Sequence, residues 1–230
     1  MRSAIVLYTG GKDSHYALLR ALKNQDLDLD NITLVNIRSE REDLLLLHTI
    51  NSRWVDVHAN LMKLPMRIFH ISGENELEEI SEIISKTVKD SKARYIVSGV
   101  VASGFQKRFL DSLAKRLGVD HYSPLWGMNQ ESLLREEVLK ERIEFIIVAA
   151  QAMGFDERWV GRLICREEDV EELIKLSQKY SFSPVGEGGE YESYVVASPL
   201  FKDRKIKIKG HKEWYLSGWG YFRIESVEIE

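Results

Sequence analysis

An apolar, β-branched stretch, Ala4-Ile5-Val6-Leu7-Tyr8, runs straight into Thr9-Gly10-Gly11-Lys12-Asp13-Ser14 and then into a helical pattern. A buried-type strand that breaks into a Gly pair and enters a helix is the start of a βαβ unit, so a parallel α/β sheet is expected. Without Cβ atoms, Gly10 and Gly11 let the backbone turn sharply and bring its N–H groups against phosphate oxygens. The N-terminus of the following helix adds favourable dipole charge. Lys12 supplies a cation, Asp13 a Mg²⁺ ligand and Ser14 a hydroxyl donor. The loop therefore reads as a nucleotide phosphate loop; the plain alternative is a Gly-rich turn whose charges are solvated. A Walker loop is excluded, because Val6 stands where its first Gly belongs and Asp13 where Ser or Thr must follow the Lys. No G-x-G-x-x-G is present either, which removes the dinucleotide fingerprint.

The first half keeps the strand–helix rhythm. Strands are expected at Ala4 to Tyr8, Ile32 to Ile37, Met66 to Ile71 and Tyr95 to Ser98. Helices are expected near Ser14 to Lys23, Asn51 to Met62, Leu77 to Lys89 and Gln106 to Leu117. Right-handed crossovers make this a doubly wound sheet with ligands at the carboxyl ends of its strands. From about Met128 the pattern changes to a polar helix (Glu131 to Lys140), a strand (Phe145 to Ala149), a helix (Arg166 to Tyr180) and half-exposed strands at Tyr194 to Ala197, Ile206 to Lys209 and Tyr221 to Glu228. Two domains are thus expected, 1–127 for nucleotide and a smaller α+β domain, 128–230, for substrate.

Composition narrows the function. A net charge of -4 gives no broad basic face for nucleic acid. The single cysteine, Cys165, rules out an internal disulfide and a multi-Cys zinc site, and it denies the chain the cysteine pair that sulfur-transfer chemistry commonly uses. Cys165 itself reads as a small core residue. No signal-like segment and no long apolar run are seen, so no membrane is involved and a cytoplasmic protein is expected.

A second unusual stretch is Gly186-Glu187-Gly188-Gly189-Glu190-Tyr191-Glu192-Ser193. Its glycines let backbone approach a ligand, and its acids can bind Mg²⁺, take a proton from an amine nucleophile or hold a cationic substrate. A bland hairpin turn is the competing reading. The third stretch runs from Ser98 and Gly99 through Ser103, Phe105 and Gln106 to Arg108, where a cation beside two polar side chains after a strand end suits a phosphate or carboxylate. Trp126 and Trp159 read first as packing anchors. His48 and His58 read as surface or packed histidines, with no metal-site spacing.

The loop at 9–14 resembles the S-G-G-x-D-S loop of the ATP pyrophosphatases, with Thr9 in place of the first Ser. Taken with the E-G-G-E-Y-E run, the chain resembles the diphthine–ammonia ligase family. His48-Thr49-Ile50-Asn51, Pro124-Leu125-Trp126, Gly161-Arg162 and the 98–108 segment fall where that pattern would place them, though Phe105 stands where Tyr is usual. The resemblance implies an adenine nucleotide alpha hydrolase-like fold and ATP with Mg²⁺ as cofactors. It also implies an activity: adenylation of the carboxylate of diphthine on translation elongation factor 2, then attack of ammonia, with AMP and pyrophosphate released. It further implies that Thr9, Gly10, Gly11, Lys12, Asp13 and Ser14 hold the phosphates, with Lys12 neutralising them and Asp13 on the metal. Val35, Asn36 and Ile37 would seat adenine, and Gly99, Ser103, Gln106 and Arg108 would complete the nucleotide site. Glu187, Glu190 and Glu192 would serve the reacting centre, with Gly188, Gly189, Tyr191 and Trp126 on the substrate, whose trimethylammonium an aromatic face would attract. An AMP-forming ligase for another small carboxylate and a non-catalytic ATP or AMP sensor are the alternatives. Monomer and homodimer are both left open.

Overall fold

The computed structural model describes residues 2–39 and 51–230. His48, Thr49 and Ile50 lie outside the described residues. The chain divides into two compact units, Met1–Thr9 with Asp13–Trp126, and Gly10–Lys12 with Gly127–Glu230.

The first unit holds a five-stranded parallel sheet in the order β3-β2-β1-β4-β5. Its strands are β1 (Ser3–Leu7), β2 (Asn31–Ser39), β3 (Met66–Ile71), β4 (Tyr95–Val97) and β5 (Asp120–Tyr122). The helices between them are α1 (Lys12–Lys23), α2 (Val55–Met62), α3 (Glu76–Ser91) and α4 (Gly104–Leu117). One face of β1 and β2 presents Ile5, Val35 and Ile37 to a core that includes Ile80, Ile84 and Val88 of α3 and Leu110, Leu113 and Ala114 of α4. Just past the end of β1, at a position of opposite parity to Ile5, the Tyr8 hydroxyl reaches His15 Nδ1 of α1 at 2.6 Å and His58 Nδ1 of α2 at 2.9 Å. Helices therefore cover both faces, and the doubly wound α/β expectation holds. The strand order reverses between β1 and β4, so the chain after each of these strands borders the crevice that such sheets use for ligands.

β5 lies outside the strands expected from the sequence, because Asp120-His121-Tyr122 carries no apolar run of the kind that marks β4. It is secured by side chains: His121 accepts or donates at Ser98 Oγ through Nε2 (2.8 Å) and bonds Asp111 of α4 through Nδ1 (2.7 Å). α4 starts where Ser103 Oγ accepts the Gln106 N–H at 3.3 Å, an N-cap. Ser103→Ala is expected to lower stability by about 1 kcal/mol, read as a lower urea midpoint at unchanged slope.

The second unit is built on antiparallel strands β6 (Glu144–Ala150), β7 (Leu163–Ile164), β8 (Tyr191–Ala197), β9 (Ile206–Tyr215) and β10 (Trp219–Ile229). They pair in the order β7-β6-β10-β9, with β8 also on β6. The two helices are α5 (Gln130–Arg135) and α6 (Glu167–Tyr180), which makes the expected α+β character plain. β9 and β10 run through the aromatic segment around Gly210 to Gly220 as one long hairpin. Its tip is held by Tyr215 stacked on Trp219 at 4.3 Å between centroids. The polar helix expected over Glu131 to Lys140 is α-helical only to Arg135, and Glu136–Lys140 form a π-helical turn.

Candidate functional site

Within the first unit, Thr9 leaves β1 and Asp13 and Ser14 open α1. Ser14 Oγ accepts the Thr9 N–H at 3.2 Å and lies 3.1 Å from Thr9 Oγ1, so the two hydroxyls close the loop on itself. Gly99, straight after β4, passes so near that a Cβ built on it would stand 2.7 Å from Asp13 C and 2.7 Å from Ser14 N. Only glycine fits there, and this close approach puts the start of α1 beside the chain leaving β4. Asn36 is buried at 1 % exposure and donates from Nδ2 to the Tyr8 carbonyl at 2.9 Å; Arg38 Nε donates to its Oδ1 at 2.7 Å. Val35 and Ile37 point into the core, so any contact of theirs with a nucleotide base would run through the backbone. Gln106 is half-buried, while Arg108 is exposed with its guanidinium folded back over Gly104. Trp126 is exposed and carries the Lys107 ammonium 5.9 Å above its ring.

Gly10, Gly11 and Lys12 group with the second unit. Gly10 takes φ 85°, the left-handed region glycine enters without strain. Its carbonyl accepts the Val195 N–H at 3.0 Å, and the Lys12 N–H donates to Ser193 Oγ at 3.1 Å, both partners lying on β8. The Lys12 side chain has no exposure; its ammonium lies 3.4 Å from Glu137 Oε2, whose side chain is equally buried, and 6.0 Å from the centre of the Tyr191 ring.

The Gly186–Ser193 run forms the approach to β8 and its first residues. Glu190 holds this turn: its carboxylate accepts the N–H groups of Ser183 (3.0 Å) and Gly188 (2.8 Å). Gln151 reaches across to this turn, donating from Nε2 to the Gly189 carbonyl and from its own N–H to the Glu190 carbonyl at 2.9 Å. Glu187 and Glu192 are half-buried and lie on either side of Glu190 in the run. Tyr191 departs from the expectation that it meets a substrate cation. Its ring is 3 % exposed, stacked on Phe145 and edge-on to Phe155, and its hydroxyl donates to the Pro184 carbonyl at 2.9 Å. Burial among aromatics made it a core residue.

Ser183, Gln151 and Glu137 were missed by sequence reasoning. Ser183 and Gln151 carry no pattern of their own. Glu137 does: it lies three residues after Leu134 and four after Leu133, both fully buried, so a carboxylate sits on the apolar stripe of its helix.

Comparison with known proteins gives a consistent result over both units. Residues 1–121 match the family model for the diphthamide synthase N-terminal domain, and residues 129–229 match that for the diphthamide synthase C-terminal domain. The chain is 29% identical over 247 residues to a diphthine–ammonia ligase of Rattus norvegicus, covering 97% of this chain and 91% of that one. A diphthine–ammonia ligase of Homo sapiens is 29% identical over 246 residues with the same coverage, and one of Danio rerio is 26% identical over 249 residues, covering 97% and 95%.

Proposed function

The chain belongs to the diphthamide synthase family, and on that premise we propose that it is a diphthine–ammonia ligase, using ATP to amidate the carboxylate of diphthine on translation elongation factor 2. The observation that carries this reading is the grouping of Gly10–Lys12 with the Glu187–Ser193 run in one compact unit, tied by Ser193 Oγ and the Val195 N–H. That contact between two motifs about 180 residues apart supports reading them as parts of one apparatus.

A carboxylate is a poor electrophile, and ATP corrects this: a carboxylate oxygen attacks the α-phosphorus, the bond to pyrophosphate breaks, and AMP becomes the leaving group. Ammonia then attacks the acyl carbon, AMP departs and nitrogen loses a proton. The residues present fit an ATP phosphate chain. In the first unit the Thr9 and Ser14 hydroxyls and the first turn of α1 from Asp13 suit an anion, and Gly99 admits the backbone there; in the second, Gly10 has the positive φ that such a loop needs. Among the described residues no three His, Cys, Asp or Glu side chains gather as a metal site. Mg²⁺ takes one or two carboxylates and completes its shell with phosphates and water, and Asp13 would be the carboxylate to hold it. Asn36 would present polar groups to adenine and Gln106 or Arg108 a further phosphate contact. Glu187 and Glu192 are the groups to take the proton from incoming ammonium, while Glu190 keeps the turn in shape. We assign nucleotide handling to 1–127 and substrate handling to 128–230. The reaction belongs in the cytoplasm with the translation factors, and among the described residues no helix is long and apolar enough to cross a membrane.

The test is AMP and pyrophosphate release from ATP, Mg²⁺ and ammonium, with and without elongation factor 2 carrying diphthine. Release that requires the modified factor, together with the acid-to-amide mass change on its histidine adduct, is the expected result. ATP binding without any release would instead leave a nucleotide sensor.

A further inference from the structure

Two loop residues, Gly10 and Lys12, are tethered within the second unit by three contacts, and the third is of an unusual kind. Gly10 is held by its carbonyl on the Val195 N–H and Lys12 by its N–H on Ser193 Oγ, both through ordinary hydrogen bonds. The Lys12 ammonium is held by charge: it and the Glu137 carboxylate are 3.4 Å apart with 0% exposure on both side chains. Burying a charge is costly, and a buried pair survives only because each ion answers the other. A lysine meant to neutralise phosphates would keep its ammonium within reach of them. This one is buried away from water, with its charge facing the Glu137 carboxylate.

The carboxylate is placed by the chain with equal care. Glu137 sits in the π-helical turn Glu136–Lys140, a rare geometry that inserts an extra residue per turn and is common at functional sites. Its neighbours on the helix face, Leu133, Leu134 and Val138, are all buried.

Resting on the ATP reading above, we propose that Glu137 is a positioning residue: through Lys12 it fixes the nucleotide loop in its phosphate-receiving shape, and Lys12 anchors the loop instead of contacting phosphate. Phosphate recognition then falls to the backbone N–H groups of the loop and of the first turn of α1 and to the Thr9 and Ser14 hydroxyls.

The experiment compares Lys12→Met, Glu137→Met and the double variant of the full chain, reading ATP affinity by titration calorimetry and the melting temperature of each. Either single variant takes the opposite charge away from a buried ion, so ATP affinity is expected to fall about 30-fold or more as the loop shifts, with a lowered melting temperature. The double variant replaces the pair by apolar side chains of similar length, and it is expected to regain most of both losses. If the singles do not fold, the double variant decides alone. A double variant as weak for ATP as Lys12→Met would overturn the proposal, because the loss would then belong to a phosphate contact of Lys12. A double variant that does not fold counts against it too, since an anchor of this kind tolerates apolar replacement. So do single variants with parental affinity. Absence of ATP binding by the parent protein would remove the functional reading first and this proposal with it, which separates the two failures.

Discussion

Gly99→Ala is expected to lower ATP-dependent pyrophosphate release by about 100-fold while leaving the chain folded. The added methyl would stand 2.7 Å from two backbone atoms, Asp13 C and Ser14 N, and 2.8 Å from Asp13 O. Backbone at the first turn of a helix cannot swing aside as a side-chain tip can. Either the start of α1 moves away or the chain after β4 does, and both carry groups that face the crevice where the strand order reverses between β1 and β4. A shift near 1 Å in a positioning element is enough to cost about two orders of magnitude in rate. Stability should suffer much less, because Gly99 lies outside the core made by Ile5, Val35, Ile96 and their partners on α3 and α4. Overpacking of this kind costs about 1–3 kcal/mol. The check is a pair of measurements on one preparation, pyrophosphate release and the urea unfolding curve. Turnover at the parental rate would mean that the close approach has no part in holding the nucleotide.

The fold and the candidate site were legible to different degrees, for physical reasons that differ. Buried parallel strands announce themselves as apolar runs: the expected strand Ala4 to Tyr8 falls on β1, Ser3–Leu7, which is buried over Ser3 to Val6, and the half-exposed edge strand Met66–Ile71 has the bounds that the sequence predicts. The glycines of the loop were legible because sharp turns and close approach permit little else. What could not be read is which side chain spends its polar atoms on the protein itself. Glu190 and Tyr191 looked like ligands because a Gly-rich acidic run invites one, yet Glu190 braces a turn and Tyr191 is held by Phe145, Phe155 and the Pro184 carbonyl. Lys12 reads as a phosphate cation from its place in the loop, and nothing local shows that its ammonium lies 3.4 Å from the Glu137 carboxylate. Its partner, Glu137, is 125 positions away, and pairing at that range depends on tertiary packing that no local pattern encodes. The carboxylate on an apolar stripe was the one visible sign.

Acid sensitivity is expected to arise from the Tyr8–His15–His58 cluster, with Tyr8→Phe lowering stability by about 2–4 kcal/mol at neutral pH. All three side chains are buried, at 1 %, 0% and 0% exposure. A phenol has one proton, so Tyr8 donates to one imidazole nitrogen and accepts from the other; phenylalanine would deprive two buried ring nitrogens of this partner at once. Burial, and after it the neighbouring His58, hold the His15 pKa well below its usual value of 6.5. The folded protein therefore keeps His15 neutral at pH values where the unfolded chain has already taken up a proton. Below about pH 6.5 the unfolded state binds more protons, the slope of unfolding free energy against pH is positive, and stability is lost as pH falls toward the depressed folded value. Above pH 6.5 both states are neutral at this residue and its contribution is complete. The loss from one such group is at most about 1.4 kcal/mol per pH unit. Urea unfolding between pH 5 and pH 8 reads it directly, and His15→Gln, which removes the titrating group, should flatten the acid limb relative to the parent even though it lowers the plateau. An acid limb of unchanged slope in His15→Gln would assign the sensitivity to another group.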